Sequence, residues 1–318
     1  MQKIKDRINR WGISPGLLVT LGLIILAALA VNAVKGVNFF SISNLLNVVR
    51  NYSLIAIAAL GQTFVIISGG LDLSVSAVMA TSNVIAATYM TGNGLILPVM
   101  LLCFLMAALV GLLNGYLITR RNVPPFICTL GTAIVVNGLR MIWTNGMPRG
   151  AIPPGLKLLC TGSALGVMPN LFLIFLIISA GYWVLLSRSS YGRRLYVVGN
   201  NPVVASLSGI RKERIVTAAY VLSAVSAALV GILIGGYTGI ADNWAGKGYD
   251  LDSVAYAVLG GAVIGGGTGS IQGTILGGFI LLMITNLALL ASLPLESQLV
   301  IKGLVIVIAL GAAGRKNH

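Results

Sequence analysis

GGLDLSVSAV, residues 69–78, places Asp72 between two apolar runs, Leu54–Ser68 and Val75–Met90. Whether this stretch is a turn between two membrane spans or the middle of one long span sets the direction of every helix after it. The chain has only 7 acidic residues, so a carboxylate here needs a reason. Composition makes lipid the medium, with 57% hydrophobic residues, 9% charged and a mean hydropathy of +0.96. Crossing a bilayer as a helix takes about 20 apolar residues, and the chain offers one such run after another. Only helices and closed barrels satisfy their backbone in lipid. Continuous Leu/Ile/Val/Ala runs in place of short alternating strands exclude the barrel. The expected fold is an all-α polytopic membrane protein, a single transmembrane domain over residues 1–318.

Windows of about 19 residues place spans at 15–34, 52–68, 75–91, 95–118, 125–143, 169–187, 215–239, 253–267, 271–291 and 297–312. The count of ten turns on two glycine-rich interruptions, Gly69–Ser74 and Gly265–Ser270. Lys3, Lys5, Arg7 and Arg10 precede the run Leu17–Val34 as they would in a signal peptide, but the run is too long and no small-residue cleavage site follows. It reads as a retained first span. Cys103, Cys128 and Cys160 are scattered and indicate neither a disulfide framework nor a metal site.

Charge tests the parity. With ten spans and both termini cytoplasmic, the inner segments 1–14, 119–124, 188–214 and 313–318 hold Lys3, Lys5, Arg7, Arg10, Arg120, Arg121, Arg188, Arg193, Arg194, Arg211, Lys212, Arg214, Arg315 and Lys316. That is fourteen of the 21 basic residues. The outer loops hold Lys35, Arg50, Arg149, Lys157 and Lys247 beside Asp242, Asp250, Asp252 and Glu296. This is the asymmetry of the positive-inside rule, and merging either glycine-split pair alone would lose it. The formal charge of +14 therefore serves topology and anionic headgroups. Nucleic-acid binding is rejected.

Small residues at every fourth position mark close helix contacts in lipid. Such ladders run through Ser223, Ala227, Gly231, Gly235 and Gly239, through Gly269, Gly273 and Gly277, and through Ala107, Gly111 and Gly115. They predict a tight bundle and say nothing of a substrate. The single histidine, His318, leaves no H-E-x-x-H site. GGGTG at 265–269 has no lysine after it before Lys302 and is no phosphate-binding loop. No catalytic residue, metal or cofactor is indicated. Proton-driven transport needs several ionisable groups within the spans, and here they amount to Asp72, Arg140 and Lys302.

The segment 188–214 is the longest inner loop. Asn201 is a good N-cap, Pro202 suits the first helical position, and Gly209 is a plausible stop. A short helix there puts Val203, Val204 and Leu207 close on one face. An apolar stripe with basic flanks either lies on the membrane surface or docks on a partner.

GQTFVIISGGLDLSVS at 61–76 resembles the G-M-T-x-V-I-x-x-G-G-I-D-L-S-V-G signature of the ribose/xylose/galactose-type ABC importer permeases. PPFICTLGT at 124–132 is similar to their P-x-F-I-x-T-L-G-T, and GRRLYVVGNN at 192–201 to their G-R-x-x-Y-A-I-G-G-N. Leu259-Gly260-Gly261, with GGGTGS at 265–270 and Gly273-Thr274, resembles their late glycine block. The four stretches keep the family's order and spread over 61–274. The resemblance implies a bacterial inner-membrane subunit that moves a monosaccharide or similar small polar solute. Its implied partners are a second permease subunit, cytoplasmic ATPases that use the ATP, and a periplasmic binding protein. Segment 200–210, with Asn201, Val203, Val204, Leu207 and Gly209, would be the ATPase-coupling helix. The chain departs from the family there, since Val203 stands where a glutamate is usual, while Leu207-Ser208-Gly209-Ile210 is intact. The rival reading is an ion- or proton-coupled secondary transporter.

Two readings of Asp72 remain open. As an N-cap of the third span it would accept from first-turn amides, a placement the helix dipole favours by roughly 0.3–1 kcal/mol. Alternatively Asp72 lines the central path or its inner gate with Gln62, Ser74, Asn83 and Asn137. GYDLDSVAYAV at 248–258 is similar to LDLSVSAV at 71–78, and the two turns face opposite sides, as in an inverted repeat. Ser41–Asn51 would then be a short outer helix matching the inner Pro202–Gly209.

Overall fold

The structure, a computed structural model, describes residues 39–314 apart from 165 and 167, together with positions 22 and 32. The expected first span, 15–34, and both termini otherwise lie outside the described residues. Twelve helices follow: α1 Ile42–Ile67, α2 Val75–Tyr89, α3 Ile96–Arg120, α4 Pro125–Thr144, α5 Pro154–Thr161, α6 Asn170–Ser187, α7 Ser190–Asn200, α8 Pro202–Leu207, α9 Lys212–Thr238, α10 Tyr249–Leu259, α11 Ile271–Leu290 and α12 Leu295–Gly314. A 3-10 turn, Asn93–Leu95, leads into α3, and two two-residue strands, β1 Ser163–Ala164 and β2 Met168–Pro169, pair antiparallel before α6. Among the described residues, α1, α3 with its leading turn, α4, α6, α9 and α11 are long and apolar enough to cross a membrane.

Burial separates the centre of the bundle from its rim. The apolar window of α1 is 89% buried and that of α9 67%, whereas those of α3, α4 and α6 are 22–28% buried. The two central helices pack on each other and on complementary neighbours: α9 on α2 and α3, α1 on α10 and α11. Polar pairs fix the second set. The Tyr52 hydroxyl donates to the Ile275 carbonyl at 2.6 Å, Thr63 and Thr274 share a bond of 2.8 Å, and Asn44 pairs with Asn286.

The small-residue ladders make the close contacts expected of them. A Cβ on Gly231 would lie 2.1 Å from the Met79 carbonyl oxygen of α2, and one on Gly111 2.7 Å from that of Tyr220. Gly273 and Gly277 press on the backbone of Gly260 in the same way. Gly239 ends α9 in the left-handed conformation at φ +82°.

Three expectations need correcting. Ser41–Asn51 is not a separate outer helix: no glycine or proline stands between Ser41 and Leu60, and Ile42–Ile67 forms one 26-residue helix capped by Ser41. The span expected at 253–267 is helical only to Leu259. Its second half turns, because Gly261, Gly265, Gly266, Gly267 and Gly269 all take positive φ. Finally, 188–214 holds an 11-residue helix, α7, that precedes the expected short one.

Gly231 and Gly235 are next neighbours on one ladder but meet different atoms. Gly231 faces backbone, while Gly235 faces the Asn83 amide at 2.9 Å and the tip of Ile152. Overpacking costs about 1–3 kcal/mol. Gly231→Ala is expected to reach at least the upper part of that range in detergent unfolding, and Gly235→Ala to stay below it. Equal stability of the two variants would show that backbone contact is not what this ladder provides.

Candidate functional site

The turn at 68–74 does not cap α2 in the expected way. Ser74 is the N-cap, without a side-chain cap bond, and Asp72 lies two residues before it. Asp72 Oδ1 instead accepts from the Ser74 N–H at 3.0 Å and from the Ser74 hydroxyl at 2.5 Å. The physical reason is local: an aspartate bonds readily to the amide two residues on. Ser74 Oγ in turn accepts from the Asn114 amide of α3 at 3.1 Å, and Asn114 Oδ1 accepts from Thr132 of α4 at 2.7 Å. Thr129 of α4 accepts from the Leu73 N–H at 3.1 Å, and Tyr220 of α9 donates to the Leu71 carbonyl at 3.3 Å. Asp72, Ser74, Asn114 and Thr129 are all fully buried. The turn is thus fastened to α3, α4 and α9 at once.

The same end of the bundle holds the rest of the motif stretches. Gly267 N–H donates to the Ile67 carbonyl at 2.9 Å, tying the 260–270 loop to the end of α1. A Cβ on Gly199 of α7 would lie 1.8 Å from that carbonyl oxygen and 2.6 Å from Gly267 N. The Tyr196 hydroxyl donates to the Gly269 carbonyl at 2.7 Å, and burial raises this phenol above its ordinary value, so it remains a donor at neutral pH. One residue beyond α7 comes α8. The Asn201 side chain accepts from Val203 N–H at 3.0 Å and Val204 N–H at 3.1 Å, the expected cap. Gly209, at φ +72°, ends the turn. Val203, Val204 and Leu207 are 68%, 49% and 84% exposed, while Ala205 is buried. An apolar face stands open beside a basic flank.

The remaining candidates lie elsewhere. Gln62, in the last third of α1, is fully buried with neither amide atom bonded. Asn83 is buried towards the opposite end, where it donates to Gly231 O at 3.3 Å and accepts from Asp242 N–H at 2.8 Å. Asn137 is half-buried in a pocket of about 230 Å³ that also holds Arg140, Asn243, Trp244 and Asp250. Arg140 binds Asn243 through both side chain and carbonyl, at 3.2 and 2.9 Å, and so holds the 239–248 loop. Of the five path candidates, only Asp72 and Ser74 touch. Asn114, Thr129, Thr132 and Tyr220 were missed as individuals. Thr129 and Thr132 lie in the quoted PPFICTLGT stretch, and Asn114 sits beside a ladder glycine, Gly115. Asp252 pairs with Lys302, the one ion pair among the described residues.

The family described as branched-chain amino acid transport system / permease component matches residues 44–310. The chain is 35% identical over 313 residues to the ribose import permease protein RbsC of Bacillus subtilis (strain 168), covering 97% of this chain and 96% of the relative. It is 31% identical over 297 residues to RbsC of Escherichia coli (strain K12), covering 92% of each. It is also 31% identical over 297 residues to the autoinducer 2 import system permease protein LsrC of Yersinia pseudotuberculosis serotype O:3, covering 92% of this chain and 84% of that one. No solved structure matches.

Asparagine supplies the same acceptor to Ser74 as aspartate, and leucine supplies none. Asp72→Leu leaves the Ser74 N–H and hydroxyl proton buried without an acceptor, at about 1–3 kcal/mol. Thermal unfolding in detergent should show that loss for Asp72→Leu and much less for Asp72→Asn. If Asn proves as damaging as Leu, the charge holds the turn, not the hydrogen-bond geometry.

Proposed function

The chain belongs to the branched-chain amino acid transport system / permease component family, and from that premise we propose that it is the membrane subunit of an ATP-driven importer for a monosaccharide or similar small polar solute. It is a multi-pass membrane permease, a transport component and not itself an ATPase. The ribose and autoinducer 2 import permeases among its relatives favour a small, hydroxyl-rich solute. In this reading ATP is used by cytoplasmic ATPase subunits, a binding protein delivers solute on the other side, and a second permease subunit completes the pore. The cell inner membrane follows from the import role.

One observation carries the coupling part of the reading. The exposed apolar face of α8 adjoins α7, and α7 lies backbone-to-backbone against the end of α1 and the 260–270 loop. A push on α8 therefore reaches the Asp72 turn without passing through flexible side chains. Val203 takes the place of the family's usual glutamate, so docking relies on apolar contact. Leu207→Asp puts an unpaired carboxylate in that contact, at a cost of several kcal/mol if it stays charged. The variant should insert normally, lose uptake and lose the ATPase on purification, while Arg211→Gln with Lys212→Gln keeps both. Normal uptake by Leu207→Asp would leave α8 as a membrane-surface helix. Uptake that survives removal of the ATPase would favour an ion-coupled transporter.

The finer topology, ten spans with both termini cytoplasmic, is supported by charge. Arg120, Arg121, Arg188, Arg193, Arg194, Arg211, Lys212 and Arg214 lie in the segments 119–124 and 188–214. The exchange of partners between α1 and α9 supports an inverted repeat. Asp72 and Ser74 form a hinge at the inner gate in this scheme, with Gln62, Asn83 and Asn137 towards the path. The three native cysteines are buried and give little background labelling. With an impermeant thiol reagent on intact cells, Leu158→Cys should react and Arg194→Cys should not. The opposite pattern inverts the topology.

A further inference from the structure

A groove of about 780 Å³ opens on the flank of the bundle, between α3, α9 and the junction of α6 with α7. Its walls are apolar, with Leu112 and Tyr116 from α3, Leu185 from α6, and Val221 and Leu222 from α9. Gly111 and Gly115 draw α3 onto the backbone of α9 at Tyr220 and Thr217, so the groove follows the seam where these two helices meet. At its mouth stand Arg120, the last residue of α3, and Arg214, in the first turn of α9. Both are exposed, and neither is within ion-pair distance of Glu213, the one acidic residue in the lining.

We propose that this groove is a binding site for one anionic phospholipid of the leaflet at the basic end, its phosphate between Arg120 and Arg214 and an acyl chain along the apolar seam. Complementarity selects this occupant. The groove pairs a long apolar floor with two unpaired guanidinium groups at one end only, and guanidinium forks match phosphate oxygens. A zwitterionic lipid offers the same chain but a neutral headgroup. Glu213 lies beside the mouth and works against a second negative charge, so a singly charged headgroup fits best. A membrane-facing helix of another subunit would fill the apolar floor but leave both arginines without a counter-charge. The site assumes the proposed orientation only in assigning the leaflet to the cytoplasmic side.

Each arginine near a phosphate contributes about 1 kcal/mol, roughly fivefold in affinity. Losing both therefore weakens binding by roughly thirtyfold. The test is native mass spectrometry of the purified permease after exchange into detergent micelles carrying phosphatidylglycerol or phosphatidylcholine. One phosphatidylglycerol should be retained per chain, far more than phosphatidylcholine, and inorganic phosphate should not displace it. Arg120→Gln with Arg214→Gln should lose that preference, whereas Arg193→Gln with Arg194→Gln should keep it. Thermal unfolding of each variant reports whether the fold survived. Equal retention of both lipids, or undiminished phosphatidylglycerol on a folded Arg120→Gln/Arg214→Gln protein, overturns the proposal. Loss of the lipid whenever a second subunit joins overturns it as well, making the groove an interface. Cysteine labelling tests the orientation separately, so failure here leaves the import reading standing.

Discussion

In lipid there is little hydrophobic force between helices, so this bundle depends on how closely the backbone of α9 can approach α2 and α3. Gly231 sets the distance to α2, and Gly111 and Gly115 set the distance to α3. With those distances short, other features fall into place. Asn83 reaches from α2 to Gly231 and also to the 239–248 loop. Tyr220 can reach the Leu71 carbonyl, and Gly70 must be a glycine because a Cβ there would lie 2.3 Å from that tyrosine's oxygen. The polar network around Asp72 thus depends on close approaches made at glycines.

The cost of placing that network in the interior is substantial. Each buried polar group without a partner costs about 1–3 kcal/mol, and both amide atoms of Gln62 and the Ser82 hydroxyl have none. Packing alone would be better served by alanine or leucine at these positions. Gln62 lies on α1 and Ser82 on α2, both packed against α9. The proposed solute path would use such polar groups, and an ionisable group at membrane depth such as Asp72 is a functional candidate for the same reason.

Most of the spans were legible in the sequence because each signal was long and of one kind. The boundaries of α3, α4, α6 and α11 follow the apolar runs, and Pro125 marks the start of α4 within a residue. The short helix α8 was legible from three residues, Asn201, Pro202 and Gly209, each with one conformational role. Length deceived at 253–267, where hydropathy cannot tell a helix from glycine-rich chain lying against Gly199 and Gly69. The same blindness split α1, since polar Asn47, Arg50 and Asn51 lower hydropathy without breaking a helix. The cap reading of Asp72, one of the two left open, failed because Ser74 took the place beside the helix. The turn's partners Asn114 and Tyr220 were not legible: nothing in a single sequence places positions 42 and 148 residues from Asp72 beside that turn.

The contact at Gly199 explains why the glycine stretches matter more than their small size suggests. A joint between side chains yields by changing rotamers and absorbs a displacement of a few tenths of an ångström. A joint between backbones cannot, since no atom between Gly199, Ile67 and Gly267 is free to rotate away. In the proposed coupling, displacement of α8 would be passed on to α1 and to the 260–270 loop together, one leading into the Asp72 turn and the other following α10. Those two turns belong to the two halves of the proposed repeat, so a single push at the basic end acts on both. Any hinge of the proposed gate would lie beside these contacts, where Gly69, Gly266 and Gly267 already take positive φ.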